Sequence, residues 1–467
     1  MKKNIGFRMW LFVVLVGFIG QLAWAIENMY LNTYITYLNF SAPAGQSFNY
    51  SLLIAITTAA SAIVATLTTI LMGTLTDKVG HKREFISFGY ILWGLATASF
   101  GLLNVNSTNK ILPVAMVSLN AAIMVIVIDC VMTFFGSTSN DAAFNSYVTR
   151  NIENKDKSKI EGVLSVLPLV AMLLIFVLLN GLTTDSASGV HDARWDLFFY
   201  LIGGLVIAVG VLSYFLIPKG KPEEPRNEKF GRILIEGFKP STIKENKNLY
   251  VILVIYFIYA TATQVFFPYL MVYMERTCLI ANSGTGFLTP FAIVMAIALL
   301  VGSILSVVLG FIADMVGKNK MIIPTFLIYA AGILLMFFIP NIGEDGSAGR
   351  TAYASIAGLI MILGYVGVPT IINALVKEYI PENKEGTFMG VRMLFVVALP
   401  MCIGPFIGDT LNNAFGKTYT NKFGDISAVP SSWGYIAGAS ILLLAIIPIV
   451  LYLRKNKKGS IRKGPAS

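Results

Sequence analysis

The sequence predicts an all-α integral membrane protein with twelve transmembrane helices in two six-helix, pseudo-symmetric halves. Three observations carry this expectation: a charge-poor composition, long unbroken apolar runs, and a pair of loop motifs at equivalent places in the two parts of the chain. Of 467 residues, 56% are hydrophobic and 13% charged, whereas a soluble domain carries nearer a quarter charged. About 20 consecutive apolar residues cross the hydrocarbon as a helix, the one open segment that satisfies its own backbone there.

The apolar runs place spans near 9–37, 50–72, 85–104, 112–138, 161–182, 195–217, 249–274, 285–309, 321–340, 351–376, 389–412 and 432–453. The net charge of +10 raises the question of nucleic acid, but the charges are sorted by side. With the amino terminus inside, 29 of the 35 Lys and Arg fall on inner segments. Lys110, Arg194, Arg276, Arg350, Lys417 and Lys422 stay outside. This bias follows the positive-inside rule, so a multi-pass protein of the cell membrane with both termini cytoplasmic is expected, with lipid and not nucleic acid as its surroundings. Lys2, Lys3 and the apolar run to Ala25 resemble a signal peptide. That run is long enough to span, and cleavage would leave an odd number of helices, so it is read as the first span.

Four regions are expected: residues 1–218 as one six-helix half, 219–248 as a cytoplasmic linker, 249–455 as the second half, and 456–467 as a basic tail. In the linker, Phe230, Ile233, Leu234 and Phe238 recur at helical spacing, which predicts a short amphipathic helix on the inner membrane face. Internal similarity supports the halving. Gly73, Asp77, Gly80 and Arg83 come after the second span, and Gly310, Asp314, Gly317 and Lys320 after the eighth. A second pair, from Asn145 to Ile152 and from Asn373 to Ile380, comes after spans four and ten. Such parallel repeats suit two halves that rock about a site near the midplane.

In the loop motif, Gly73 and Gly310 are expected to let helix ends approach, while Gly80 and Gly317 permit a tight turn. Asp77 and Asp314 are placed to accept hydrogen bonds that latch neighbouring helices in one of two states. The Gly73–Arg83 stretch resembles the loop signature of the major facilitator superfamily, which implies the major facilitator fold over essentially the whole chain. Within it, the stretch from Ile380 and Pro381 through Gly386 to Met389 and Gly390 resembles the connection between spans ten and eleven of the glycoside–pentoside–hexuronide:cation symporters and the related sucrose-type carriers. That resemblance implies a sugar or glycoside moved with a cation. Melibiose-type members use second-span acids for sodium, but Ser51–Met72 holds no acid. Sucrose-type carriers place an Asp in span four, where Asp129 stands here, so the resemblance points to a proton.

An ionisable group deep in hydrocarbon is costly, which makes it a functional candidate. Glu27 and Asp129 are the two acids read as lying well inside spans, and both are candidates for cation coupling. Desolvation disfavours a carboxylate's charged form, as a proton-loading group requires. At 100° per residue, Trp24, Tyr30 and Tyr34 fall on the Glu27 side of span one, a pattern that suits a sugar. Thr133, Gly136 and Asn140 continue the Asp129 face of span four. In span seven, Gln264, Phe267 and Tyr269 are candidates for substrate contact, with Pro268 expected to break the helix. Asn373 in span ten and Arg392 in span eleven complete the candidates. Asp141 is read as lying near the inner surface, outside the coupling site.

No phosphate-binding loop and no His-Glu-x-x-His motif occurs, and the two histidines, His81 and His191, lie in loops. Cys130, Cys278 and Cys402 are too scattered for a disulfide framework or a metal site. The reading is therefore a monomeric carrier rather than an enzyme, without cofactor or metal: a secondary active transporter for a sugar or glycoside, with a proton as coupling cation. Carriage of a drug, peptide or organic anion, or a sensor built on a carrier fold, are the alternatives.

Overall fold

A computed structural model of the chain describes residues 7–38, 49–103, 117–151, 154–183, 193–217, 238–280, 290–380, 385–420 and 426–462. The long helices are α1 (Phe7–Ile35), α2 (Tyr50–Val79), α3 (Lys82–Ser99), α4 (Ala122–Val148), α5 (Asn154–Leu178) and α6 (Trp195–Leu216). They continue with α7 (Lys247–Thr277), α8 (Pro290–Val316), α9 (Lys318–Phe338), α10 (Ala348–Tyr379), α11 (Gly390–Phe415) and α12 (Trp433–Lys455). Ten helices among the described residues are long and apolar enough to cross a membrane, against the twelve spans expected. In α5 the first turns carry Lys155, Asp156, Lys157 and Lys159, which leaves the shorter apolar stretch Val166–Leu178. A two-stranded antiparallel ribbon, Thr418–Thr420 with Ile426–Ala428, joins α11 to α12.

Sequence sets the helix ends. Asn49 caps α2 by accepting from the Leu52 amide, and Gly80 closes it at φ 73°. Gly317 separates α8 from α9 at φ 103°. Only glycine adopts such angles without strain. Gly73 departs from its expected role: a Cβ there would meet nothing within 4 Å, so it mediates no close approach in this conformation. The side chains of Asp77 and Asp314 lie outside what the structure describes, as do residues 218–237 of the expected linker helix. A short helix, Pro240–Glu245, precedes α7.

Helices meet through small residues, as association between membrane-spanning helices favours. A Cβ on Gly94 of α3 would lie 2.6 Å from the Gly203 carbonyl oxygen on α6, and the reverse distance is also 2.6 Å. Between α9 and α10, a Cβ on Gly364 would lie 2.4 Å from Tyr329 Cα. Large apolar side chains such as Leu67, Phe311 and Ile447 face outward, as lipid-facing surfaces do. The helices that line the interior are interrupted. Wider π turns occur at Ile26–Tyr30 in α1, Ser137–Phe144 in α4, Tyr273–Thr277 in α7 and Leu394–Ala398 in α11. Such insertions in a helix are frequent at functional sites.

Candidate functional site

Glu27 stands in the π turn of α1, only 7% exposed. Its Oε1 accepts from Ser61 Oγ of α2 at 2.6 Å and from Thr133 Oγ1 of α4 at 2.9 Å. The two hydroxyl oxygens lie 2.8 Å apart. Three oxygens from three helices thus form a closed triangle. Glu27 Oε2 and Asp129 Oδ1 are buried without a hydrogen-bond partner. Both carboxylates face one narrow cleft, shared with Asn28, Asn32, Thr57, Thr58 and Gln264 and walled by Phe267 and Met401. No Lys, Arg or His lies among the described lining residues.

A second, largely filled space adjoins it, with about 30 Å³ of free volume. Its walls are apolar: Met29 of α1, Met172 and Phe176 of α5, and Met274, Met336 and Met361 from the later helices. Phe267 lines both cavities and stacks on Tyr365, centroids 5.3 Å apart and rings tilted by 12°.

The candidates from sequence divide sharply. Glu27, Asp129, Gln264 and Phe267 come together in the cleft. Tyr30, Tyr34, Trp24 and Tyr269 do not line it. Tyr30 packs between Phe176 and Phe198. Tyr34 sits among Phe100, Trp195 and Phe199, its hydroxyl donating to the Phe100 carbonyl. Trp24 lies against Trp93, centroids 5.1 Å apart. The Tyr269 hydroxyl is engaged by the Pro405 carbonyl at 2.8 Å. Asn373 accepts from Arg392 at 3.0 Å, away from the cleft. Arg83 lies over the Tyr214 ring, 3.7 Å from its centroid.

Sequence reasoning passes over Asn28, Asn32, Thr57, Thr58 and Ser61. Thr57 and Ser61, four residues apart in a span that also carries Ser51, Thr58, Thr66, Thr68 and Thr69, are the available signal. Asp409 of α11 is a further buried acid, held by Asn413 at 2.8 Å. Asp141 lies within α4, accepting from Ser137 and Asn140. Pro268 does break α7: the helix stops at Gln264 and resumes after a 3-10 turn at Phe267–Tyr269.

Among the described residues, hydrogen bonds between the helices before residue 217 and those after 247 gather from mid-span to one end. Tyr37 donates to Glu275 at 2.6 Å, and Asn412 to Ser51 Oγ at 3.0 Å. Arg276 donates to the Tyr419 hydroxyl on the ribbon and lies 5.5 Å from the Tyr37 ring centroid. The cleft is closed toward that end. A hydrogen bond to a charged group contributes about 1.5–3 kcal/mol, so Tyr37→Phe should shift the balance toward opening there by about tenfold. Thiol labelling of a cysteine placed at Ser51 measures this. Unchanged labelling would show that the contact does not hold the end shut.

A bundle of membrane-crossing helices with an interior polar cleft, closed at one end, defines a multi-span membrane transporter. Residues 13–405 match the family model described as Major Facilitator Superfamily, and the chain belongs to that family. By that membership it is a multi-span membrane transport protein. The chain is 26% identical over 217 residues to "Multidrug resistance protein MdtG" of Rahnella sp. (strain Y9602). That match covers 46% of each protein, so the chain spans about half the length of this curated relative. Among solved structures, the nucleoside transporter NupG aligns with TM-score 0.61 at 12% identity, covering 95% of this chain and 98% of that one. The xylose transporter XylE from E. coli aligns at 0.62 and 14% identity, covering 94% and 97%. These likenesses show the fold.

Proposed function

We propose that this carrier couples the movement of a small hydroxylated solute, a sugar or glycoside, to a proton. The observation that carries the reading is the oxygen triangle at Glu27. Two hydroxyl hydrogens serve three short oxygen–oxygen edges, so one edge lacks a hydrogen while Glu27 is charged. A proton on Oε1 supplies the third hydrogen and closes the ring from α1 to α2 to α4. Proton loading thereby changes the cohesion of three helices, the differential interaction by which a ligand shifts a conformational equilibrium. Asp129, with its own unpaired oxygen, is the second member of the pair.

Asn28, Asn32, Thr57, Thr58 and Gln264 offer hydroxyl-matching groups, and Phe267 offers a ring face, a lining that suits a polyol. The resemblance of 380–390 to glycoside:cation symporters adds to this. On this reading the chain has two six-helix halves, 1–218 and 249–455, and both termini face the cytoplasm. The Tyr37–Glu275 end then faces outward. The carrier works as a monomer, with the paired loops at Asp77 and Asp314 as its inner latches. A second reading, carriage of an apolar drug, is favoured by the name of the curated relative.

The test is uptake of mono- and disaccharides by proteoliposomes, with and without an inward proton gradient. Gradient-dependent accumulation is expected. Uptake that ignores the gradient would remove the proton, and no uptake of any sugar would remove the solute class.

A further inference from the structure

We infer that Asp141 is the inner station of a proton path, which runs from Glu27 along one face of α4 past Thr133 and Ser137 and reaches solvent on the cytoplasmic side. The inference rests on the proton-coupling reading and adds to it the route by which the coupled proton leaves.

The face is continuous. Thr133, Ser137 and Asp141 follow one another at four-residue spacing. Four residues overshoot one α turn by about 40°, and a wider π turn takes up that excess. The insertion at Ser137–Phe144 therefore brings Asp141 back to the Thr133 face. At one end of the row Thr133 Oγ1 donates to Glu27 at 2.9 Å, and at the other Ser137 Oγ donates to Asp141 Oδ2 at 3.2 Å. Thr133 and Ser137 are fully buried. One turn of rise, about 5.4 Å, separates their places on the helix, a reach that one water covers with two hydrogen bonds of about 2.8 Å. Beside this step stands Trp93 of α3, fully buried, its Nε1 without a hydrogen-bond partner. A Cβ on Gly136 would lie 2.8 Å from Trp93 Cε2, the carbon bonded to that nitrogen. A buried donor in a polar seam is served by water.

Packing gives the direction. The Tyr90 hydroxyl lies 2.9 Å from the Val16 carbonyl oxygen and 3.0 Å from Asn140 Oδ1. Asn140 is thus level with a residue eleven positions before Glu27, about 16 Å away along α1. Tyr37 and the closed end lie the other way. From Gly136 to Phe144 every residue is buried except Asp141, which is half-buried, and Asn145, one turn on, is exposed. The Asp141 carboxylate is seated by its own helix, Asn140 Nδ2 donating to Oδ1 at 3.1 Å. Lys82 of α3 donates instead to Ser146 Oγ, at 2.7 Å. In transfer, Glu27 gives up its proton, and each hydroxyl and water along the row takes one and passes one on, ending unchanged. Asp141 receives the proton, becomes neutral, and hands it to water on the inner side.

The experiment uses proteoliposomes and the sugar that the native chain takes up, drawn from glucose, galactose, xylose and sucrose. Net downhill uptake is timed at equal pH on both sides, with the potential clamped by potassium and valinomycin, so that each solute that crosses must release a proton. Asp141→Asn should slow net uptake about tenfold or more, the scale on which a positioned proton-transfer group acts. Exchange of labelled for unlabelled sugar should stay within a few-fold of native. Under a proton gradient this variant should reach the native accumulation level, only later, because a route changes rates and not the equilibrium. Sodium azide on both sides, a small weak acid that ferries protons, should restore its net rate in the equal-pH assay, and Asp141→Glu should need no azide. A native net rate in Asp141→Asn, slowing that azide leaves unchanged, or a lowered accumulation level overturns the relay and leaves proton coupling standing. So does loss of exchange in both variants, which would make Asp141 structural. A native chain whose uptake ignores the proton gradient, or that takes up none of the four sugars, overturns the reading beneath, and this inference with it.

Discussion

Glu27→Gln should abolish proton-driven accumulation of solute while exchange of solute across the same membrane continues. Glutamine keeps an oxygen where Glu27 Oε1 accepts from Ser61 and Thr133, so the junction of α1, α2 and α4 retains its hydrogen bonds. What it loses is the site for the third hydrogen. With one proton per solute, a gradient of one pH unit supplies about 1.4 kcal/mol and supports about tenfold accumulation at equilibrium. The variant should level off near equal concentrations. Exchange between labelled and unlabelled solute needs no net proton movement and should remain within a few-fold of native. Asp129→Asn distinguishes the two acids: if accumulation falls likewise, the pair acts as one loading site. A Glu27→Gln carrier that still concentrates solute as the native one does would place the coupling elsewhere, with Asp129, Asp141 and Asp409 next in line.

How far the sequence reaches depends on the kind of signal. The membrane fold comes from composition and apolar run length, which are summed over hundreds of residues. Glu27 and Asp129 stand out because a carboxylate in an apolar run needs a reason to be there. Gly80 and Gly317 occupy backbone angles that their place in a short loop suggests. The aromatic assignments fare differently, for a geometric cause. Counting 100° per residue puts Tyr30 and Tyr34 beside Glu27, but the π turn at Ile26–Tyr30 widens the helix and rotates the residues beyond it. Both rings instead face α3, α5 and α6, where Phe100, Phe176, Phe198 and Phe199 wait for them. Ser61 and Thr133 are harder still. Hydroxyls in a span commonly bond to their own helix, as Thr57 does to the Leu53 carbonyl, and nothing in one sequence says which of them turn toward a distant acid. Periodicity describes a helix's own faces, and the partner that each face meets is set by packing.

Arg350→Met should be the most destabilising single substitution at the closed end. The side chain sits at the start of α10, 5% exposed, although in the sequence it is no more than one of six outer basic residues. Its guanidinium donates to the carbonyl oxygens of Ile342 at 2.9 Å, Cys278 at 2.9 Å, Pro340 at 3.1 Å and Gly343 at 2.9 Å, and to the Asp345 carboxylate at 2.5 Å. One planar fork therefore ties the end of α7 to the turn between α9 and α10. Methionine fills similar volume but leaves four carbonyls without a donor, and removing one member of such a buried set costs about 3–5 kcal/mol. The shift per kcal/mol falls as chain length rises, to roughly 1–2 °C for a chain of this length, so the melting temperature of the purified protein should fall by about 5 °C. Lysine, with a single ammonium and no fork, should recover only part of that. Asp345→Ala should change little, because that carboxylate is 68% exposed and an exposed ion pair contributes under about 1 kcal/mol. The contrast is the diagnostic: if both variants melt alike, Arg350 acts as half of a surface ion pair, and the carbonyl cluster does not hold α7 to α10.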